Sequence, residues 1–115
     1  MSDTVRVFKA LSDGTRLRIL NILLERECCV CEVMQVLGIS QPSASRHLSI
    51  LHDAGLLKAK KQGIWMHYAV NSEDMPAYAQ EIIKGVRLAM EETPEAGADR
   101  KKLQKSVKQN AACTT

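Results

Sequence analysis

The sequence predicts a mainly α-helical domain with one small β-hairpin, and three observations lead to that class. Apolar residues recur with helical spacing through the first half of the chain and again after residue 75. Between these regions, residues 66–70 alternate apolar and small or polar side chains, which is the period of a half-buried strand. The chain of 115 residues, 45% hydrophobic and 25% charged, suffices for one domain with a modest core.

The first three helices each carry a start or stop signal. An apolar stripe that begins at Val5 marks the first helix. Ser12 and Asp13 supply the N-cap of a second helix, predicted over residues 15–25. A short third helix follows the cysteine cluster and ends at Gly38, because glycine is typical of helix C-termini.

The fourth helix and the hairpin after it define the architecture. Ser40 caps the helix, Pro42 lies in its first turn, where a missing N–H costs nothing, and Gly55 ends it. Strands over residues 57–61 and 64–70 then flank a glycine-containing turn. Two short helices joined by a tight turn and followed by a two-stranded ribbon predict a winged helix-turn-helix, mainly α with a small β-hairpin wing.

A final amphipathic helix is predicted after the hairpin, over residues 75–90. The proline and glycine that follow are expected to end regular structure. Residues 1–92 are therefore predicted to form one folded domain, and residues 93–115 a basic, disordered tail.

Composition and charge narrow the function classes. No apolar run approaches the roughly 20 residues that cross a bilayer, and the N-terminus lacks the segments of a secretory signal. The sequence thus predicts a cytoplasmic protein with no membrane partner and with cysteines present as thiols. The net charge is only +3, but positive residues cluster around the fourth helix and hairpin and in the tail: Arg46, Lys58, Lys60, Lys61, Arg100, Lys101, Lys102, Lys105 and Lys108.

The outward face of the fourth helix is suited to a DNA major groove. Ala44, Leu48 and Leu51 form its inward face, and Arg46 points away from them. Arginine can pair bidentately with guanine, serine and glutamine contact bases or phosphate, and a helix N-terminus attracts phosphate. His47 lies nearer the inward side, so a structural role is an open alternative there. The candidate DNA-contacting residues are Gln41, Ser43, Ser45, Arg46, His47, Lys60 and Lys61.

Three segments resemble one family. SQPSASRHLSILHDAGLL followed by KKQGIWMHYAV is similar to the recognition helix and wing of the ArsR-type, arsenic-responsive bacterial repressors, and FKALSDGTRLRILNILL resembles their first two helices. The resemblance implies a homodimer formed by the first and last helices and bound to an inverted repeat in promoter DNA. Two recognition helices would then lie about 34 Å apart, one turn of DNA. The residues predicted for the dimer interface are Val5, Phe8, Tyr78, Ile82, Ile83 and Val86.

The segment ECCVCEV is similar to the inducer motif of that family, in which two cysteines flank a valine before an acidic residue. The resemblance assigns Cys29 and Cys31 as ligands of As(III) or Sb(III), since soft ions prefer sulfur. Their place at a helix start is expected to favour thiolate. Cys28 and Cys113 are candidate third sulfurs, because Met34 stands where some members carry a further cysteine.

The resemblance implies derepression: the inducer reshapes the helix before Ser40 and releases the DNA. An alternative keeps the fold but makes the thiols a redox switch, with Cys28–Cys29 or Cys29–Cys31 oxidising. A thiol enzyme would need an oxyanion-binding loop with acid–base groups, which ECCVCEV does not offer, so no catalytic residue or catalytic cofactor is predicted. A structural zinc site usually takes four ligands in separated pairs, and residues 75–92 contain no histidine for zinc or nickel sensing.

Overall fold

The computed structural model describes residues 1–107, which form six helices and three short strands. The helices are α1 (Ser2–Leu11), α2 (Gly14–Glu25), α3 (Val30–Leu37), α4 (Gln41–Asp53), α5 (Ala77–Glu91) and α6 (Pro94–Val107). The strands are β1 (Cys28–Cys29), β2 (Leu57–Gln62) and β3 (Trp65–Val70). The four helices predicted before the hairpin, the hairpin and the helix after it are confirmed. No helix within these residues combines the length and apolar character needed to span a membrane.

The strands form one antiparallel sheet in the order β1-β3-β2. Strands β2 and β3 make the predicted hairpin, and Gly63 in its turn has φ of 62°, a value that disfavours residues with a side chain. Strand β1 was not predicted. It pairs Cys28 with Tyr68 and Cys29 with His67, so the cysteine segment is hydrogen-bonded directly to the wing.

The core lies between α2, α3, α4 and the start of β2. Its fully buried side chains include Ile19, Leu20, Ile22, Val33, Val36, Leu48, Leu51, Leu56 and Leu57. The turn between α3 and α4 passes through Gly38, whose φ of 67° lies in the left-handed region, and then Ser40, whose Oγ accepts the Ser43 N–H at 3.3 Å. Because α3 packs against α4 across this short turn, the two helices form one helix-turn-helix unit.

Helix α6 shows that residues 94–107 of the tail predicted to be disordered are helical. It begins at Pro94 and packs on α2 and α3, with Leu103 buried. Asp99, 1% exposed, receives two hydrogen bonds from Arg18 of α2. The packing of α6 therefore extends the folded domain beyond residue 92, and residues 108–115, with Lys108 and Cys113, lie outside the described part.

Candidate thiol site and nucleic-acid interface

Cys29 and Cys31 lie at the start of α3, with their Sγ atoms 3.3 Å apart. Cys29 is the N-cap residue of the helix. Its backbone N–H donates to Glu32 Oε1 at 3.1 Å, and its side chain faces the Glu32 N–H in return, which is a reciprocal capping box. The structure thus brings together the two sulfurs that the resemblance assigned as ligands.

An ion pair beneath the thiols stabilises this helix start. Glu32 is only 4% exposed, and its Oε2 lies 2.6 Å from Nη2 of Arg26. The same Arg26 nitrogen donates to Ser106 Oγ of α6 at 3.3 Å. Charge-assisted hydrogen bonds of this kind offset the cost of burying a carboxylate, so Glu32 can stay beside Cys29.

The protonation of the buried thiols differs from the expectation. Burial raises the pKa of Cys29, and the charge of Glu32 raises it further, while the Glu32 backbone N–H opposes both. Burial likewise raises the pKa of Cys28 to about 12. The prediction that the helix start favours thiolate is therefore wrong for Cys29 in this conformation, because desolvation outweighs the helix N-terminus.

The third-sulfur candidates do not complete the site within the described residues. Cys28 is fully buried in the core, and its Sγ lies 3.5 Å from the Arg26 carbonyl, a placement that does not favour its assignment as a possible ligand. Cys113 lies outside the described part of the chain. Among residues 1–107, no group of three or more His, Cys, Asp or Glu side chains is placed to hold a metal ion.

The three cysteines of this segment differ in accessibility. Cys28 and Cys29 are free thiols, as the sequence predicted for them. Cys31 is more accessible than its two neighbours, which are buried, and thiol–disulfide exchange requires such access.

Helix α4 presents the predicted groove-reading face. Gln41 and Arg46 are exposed, and Ser43 and Ser45 are half-buried beside them. His47, in contrast, is 7% exposed, and its Nδ1 lies 3.1 Å from Nη1 of Arg16 on α2. Its inclusion among the base-contacting residues is corrected, because the imidazole packs inward against Arg16 and does not face the groove.

The wing carries the predicted basic residues on β2. Lys60 and Lys61 are exposed, as is Lys58. Lys60 Nζ lies 3.8 Å from Oε1 of Glu27, but both side chains are largely solvated, so this pair does little to restrain the lysine. Ile64, which was not among the predicted residues, is 79% exposed at the hairpin turn.

The predicted dimer residues separate into two groups. Val5, Phe8 and Tyr78 are exposed, at 42%, 56% and 39%, and Ile82 and Val86 are half-buried. Ile83 is 6% exposed and belongs to the core, so its assignment to the interface is corrected. The apolar stripe of α5 includes residues that pack in the core and residues that lie at the surface. The helical spacing alone does not show which residue belongs to which group. Leu88 of α5, 63% exposed, was not among the predicted residues.

Comparison with known proteins places this arrangement in a family. Residues 13–59 match the family model described as bacterial regulatory protein, arsR family. The arsenical resistance operon repressor of Escherichia coli K12 is 48% identical over 80 residues, which cover 69% of this chain and 68% of that protein. The arsenic resistance transcriptional regulator ArsR1 of Pseudomonas putida KT2440 is 43% identical over 93 residues, covering 78% and 72%.

Solved structures give the same fold. A homodimeric winged helix-turn-helix DNA-binding domain from Mycobacterium bovis, a possible ArsR-family regulator, is 29% identical with a TM-score of 0.67, covering 81% of this chain and 82% of that one. The AntR antimony-specific transcriptional repressor is 27% identical with a TM-score of 0.61, covering 78% and 79%. The chain therefore belongs to the ArsR family of winged helix-turn-helix transcriptional regulators and is a DNA-binding repressor, not an enzyme.

Proposed function

We propose that As(III) or Sb(III), bound through Cys29 and Cys31, releases this repressor from promoter DNA. The observation that carries the proposal is the 3.3 Å separation of the two Sγ atoms at the start of α3. Because sulfur ligands lie about 2.3 Å from a soft metal ion such as zinc, one ion can contact both sulfurs at this separation. The names of the Escherichia coli relative and of AntR, which refer to arsenical resistance and antimony, support the choice of ligand.

Protonated thiols are compatible with arsenite as the ligand. When a thiol replaces a hydroxyl group of As(OH)3, the sulfur–hydrogen bond breaks, the sulfur bonds to arsenic, and the proton leaves with the hydroxyl as water. Arsenic stays trivalent throughout. The raised pKa of Cys29 therefore does not prevent binding.

The position of the site connects it to both DNA-reading elements. Cys29 is paired with His67 on wing strand β3 and caps α3, which packs against recognition helix α4. An ion that rearranges the cap can therefore displace α4 and the wing together. Ligand binding shifts the equilibrium only if the DNA-free conformation binds the ion more tightly, by the same free energy that DNA binding loses.

The quaternary arrangement belongs to the same proposal. The repressor binds an inverted repeat as a homodimer, with Val5 and Phe8 of α1 and Tyr78, Ile82 and Val86 of α5 at the interface. The exposed apolar side chains on both helices support this, since an aromatic side chain such as Phe8 buries a large apolar area at an interface. Cys113 remains the proposed source of a third sulfur.

The direct test is fluorescence anisotropy on labelled promoter DNA, titrated with arsenite in the presence of a reductant. The wild-type protein should bind DNA without arsenite and dissociate as arsenite is added. Specific DNA binding that arsenite and antimonite leave unchanged under reducing conditions would contradict the inducer assignment while leaving the repressor function intact.

A second candidate signal is oxidation of the thiols. The 3.3 Å separation of the Cys29 and Cys31 sulfur atoms favours it. Two reduced thiols would lose two electrons and two protons to an oxidant such as hydrogen peroxide and form one sulfur–sulfur bond. DNA release by peroxide, reversed by a thiol reductant and absent with arsenite, would support this candidate over the first.

Replacing Arg46 by alanine should weaken DNA binding without unfolding the protein. Arg46 is exposed on α4, so its removal takes nothing from the core. Loss of a bidentate guanine contact costs about 1–3 kcal/mol, roughly 5–150-fold in affinity, and relaxes sequence preference at one base pair. Anisotropy on the promoter and on single-base variants measures both effects. Equal affinity of Arg46→Ala and wild type would show that this residue does not read the DNA.

Replacing Phe8 by glutamate should dissociate the dimer. Phe8 is 56% exposed in the isolated chain, so the change leaves the monomer core intact but places a charge in the proposed interface. Such a change at a central aromatic residue weakens association by at least about 2 kcal/mol, roughly 30-fold. Sedimentation equilibrium measures it. Leu88→Glu, on an exposed residue outside the predicted set, is the matched control; dissociation by that variant alone would place the interface elsewhere.

A further inference from the structure

Arg16 connects three parts of the helix-turn-helix domain. Its Nε donates to the Ala10 carbonyl at 2.6 Å and its Nη2 to the Lys9 carbonyl at 3.2 Å, both in the last turn of α1. Its Nη1 lies 3.1 Å from Nδ1 of His47 on α4. The Arg16 side chain is only 13% exposed, so its guanidinium group makes these hydrogen bonds largely shielded from solvent.

Asp13 holds both the backbone and the side chain of Arg16 in place. It is the N-cap of α2, its Oδ1 accepts the Arg16 backbone N–H at 3.0 Å, and its Oδ2 lies 3.8 Å from Arg16 Nη1. The cap and the ion pair orient the arginine toward α1 and α4 at once. The orientation is directional, because the planar guanidinium donates along fixed axes.

The contact with His47 defines which imidazole nitrogen carries the proton. Arginine can only donate, so Nδ1 of His47 must accept, and the imidazole is neutral with its proton on Nε2. Arg46, the residue before His47 on α4, is exposed on the groove-reading face. The bond from Arg16 therefore fixes α4 one residue away from its principal candidate base contact.

We propose that Arg16 is a positioning residue for DNA binding, which sets the orientation of recognition helix α4 relative to α1 through its hydrogen bond to His47. In a dimer formed through α1, this bond also sets the distance between the two recognition helices. The inference rests on the DNA-binding and dimer parts of the proposed function and does not depend on the thiol site.

The test compares promoter binding by wild type with Arg16→Lys, His47→Leu and His47→Asn, each with its melting temperature and sedimentation measured. Arg16→Lys cannot donate to three acceptors in this geometry, and His47→Leu removes the acceptor. Both should weaken DNA binding about tenfold or more at unchanged dimer content, as expected for loss of a hydrogen bond to a charged group. His47→Asn should bind like wild type, because its Oδ1 can take the place of Nδ1.

The salt dependence separates positioning from direct contact. A residue that binds phosphate lowers the slope of log K against log salt by about one when it is removed. We expect Arg16→Lys and His47→Leu to keep the wild-type slope, and Lys61→Ala to reduce it if that lysine binds phosphate. Wild-type affinity in folded His47→Leu, or equal losses in His47→Leu and His47→Asn, would overturn the proposal. An absence of DNA binding by wild type would overturn the repressor function as well.

The pH profile gives a second readout that a merely structural contact would not move. Burial lowers the pKa of His47 from its usual 6.5; the charge of Asp13 opposes this shift, and those of Arg16 and Arg46 add to it. Lys9 on α1 contributes only its carbonyl to this cluster. As the pH falls through the folded pKa of His47, which lies below 6.5, protonation of Nδ1 breaks the bond to Arg16, so wild-type affinity should fall relative to His47→Asn. A constant ratio from pH 7.5 to values below the folded pKa would contradict the proposal.

Discussion

Replacing Cys29 or Cys31 by serine should abolish the release of DNA by arsenite while leaving DNA binding itself intact. A hydroxyl group is a poor ligand for a soft trivalent ion, so the two-sulfur site at 3.3 Å is lost in either variant. Serine is also a preferred N-cap residue, so Cys29→Ser should preserve the start of α3 and its capping box with Glu32. The fold and the apo function are thus retained.

The magnitude follows from the coupling between the two ligands. A typical coupling of about 1–3 kcal/mol weakens wild-type DNA binding roughly 5–150-fold at saturating arsenite, and each serine variant should show a factor close to one. Anisotropy titrations under reductant measure this ratio for every variant. The same coupling requires promoter DNA to weaken arsenite binding to wild type by an equal factor.

Two further variants serve as controls. Cys28→Ala keeps an apolar side chain at a fully buried position, so it should lose some stability but still respond to arsenite. Cys113→Ser tests the proposed third sulfur and should respond more weakly if that sulfur binds. Normal release by both Cys29→Ser and Cys31→Ser would show that the inducer binds elsewhere.

The sequence predicted the thiol pair but not its surroundings. Cys29 and Cys31 were found from the motif, because its spacing is local to one helix start. The burial of Cys28 follows from its pairing with Tyr68, and a strand of two residues has no alternation to detect. Glu32 and Arg26 were not singled out, since a carboxylate and an arginine six residues apart read as ordinary surface charges until the fold brings them to 2.6 Å.

Contacts between residues far apart in sequence also explain the two larger corrections, which concern His47 and helix α6. The helical wheel placed His47 near the inward side, but its partner Arg16 is 31 residues away in sequence. Pro94 was interpreted as a helix breaker although it starts α6, where proline is tolerated. The inward face of α6 is also unusually polar, because Asp99 and Ser106 are buried against arginines of the second helix and its C-cap. Periodicity of apolar residues does not detect such a face.

Replacing Asp99 by alanine should destabilise the protein and loosen α6. Asp99 is 1% exposed and receives hydrogen bonds from Arg18 Nε at 2.8 Å and Nη2 at 3.0 Å. Removing one partner of a buried pair costs about 3–5 kcal/mol when the other charge stays dry. Because the Arg18 side chain is 28% exposed and can regain water, we expect a smaller loss of about 2 kcal/mol in the free energy of unfolding.

The prediction distinguishes a packed α6 from a dispensable tail. Urea unfolding measures the loss, and hydrogen exchange should show faster exchange of α6 amides in Asp99→Ala than in wild type. Glu81→Ala is the matched control, because it removes a carboxylate from an exposed ion pair. Glu81 lies 3.1 Å from Lys84, and the two side chains are 71% and 69% exposed. That variant should lie within about 0.5 kcal/mol of wild type. If Asp99→Ala unfolds at the same urea concentration as Glu81→Ala, with α6 exchange unchanged, the Arg18–Asp99 pair does not anchor α6. A loss confined to Asp99→Ala would instead mean that the fold depends on a buried charge pair spanning 81 residues of sequence.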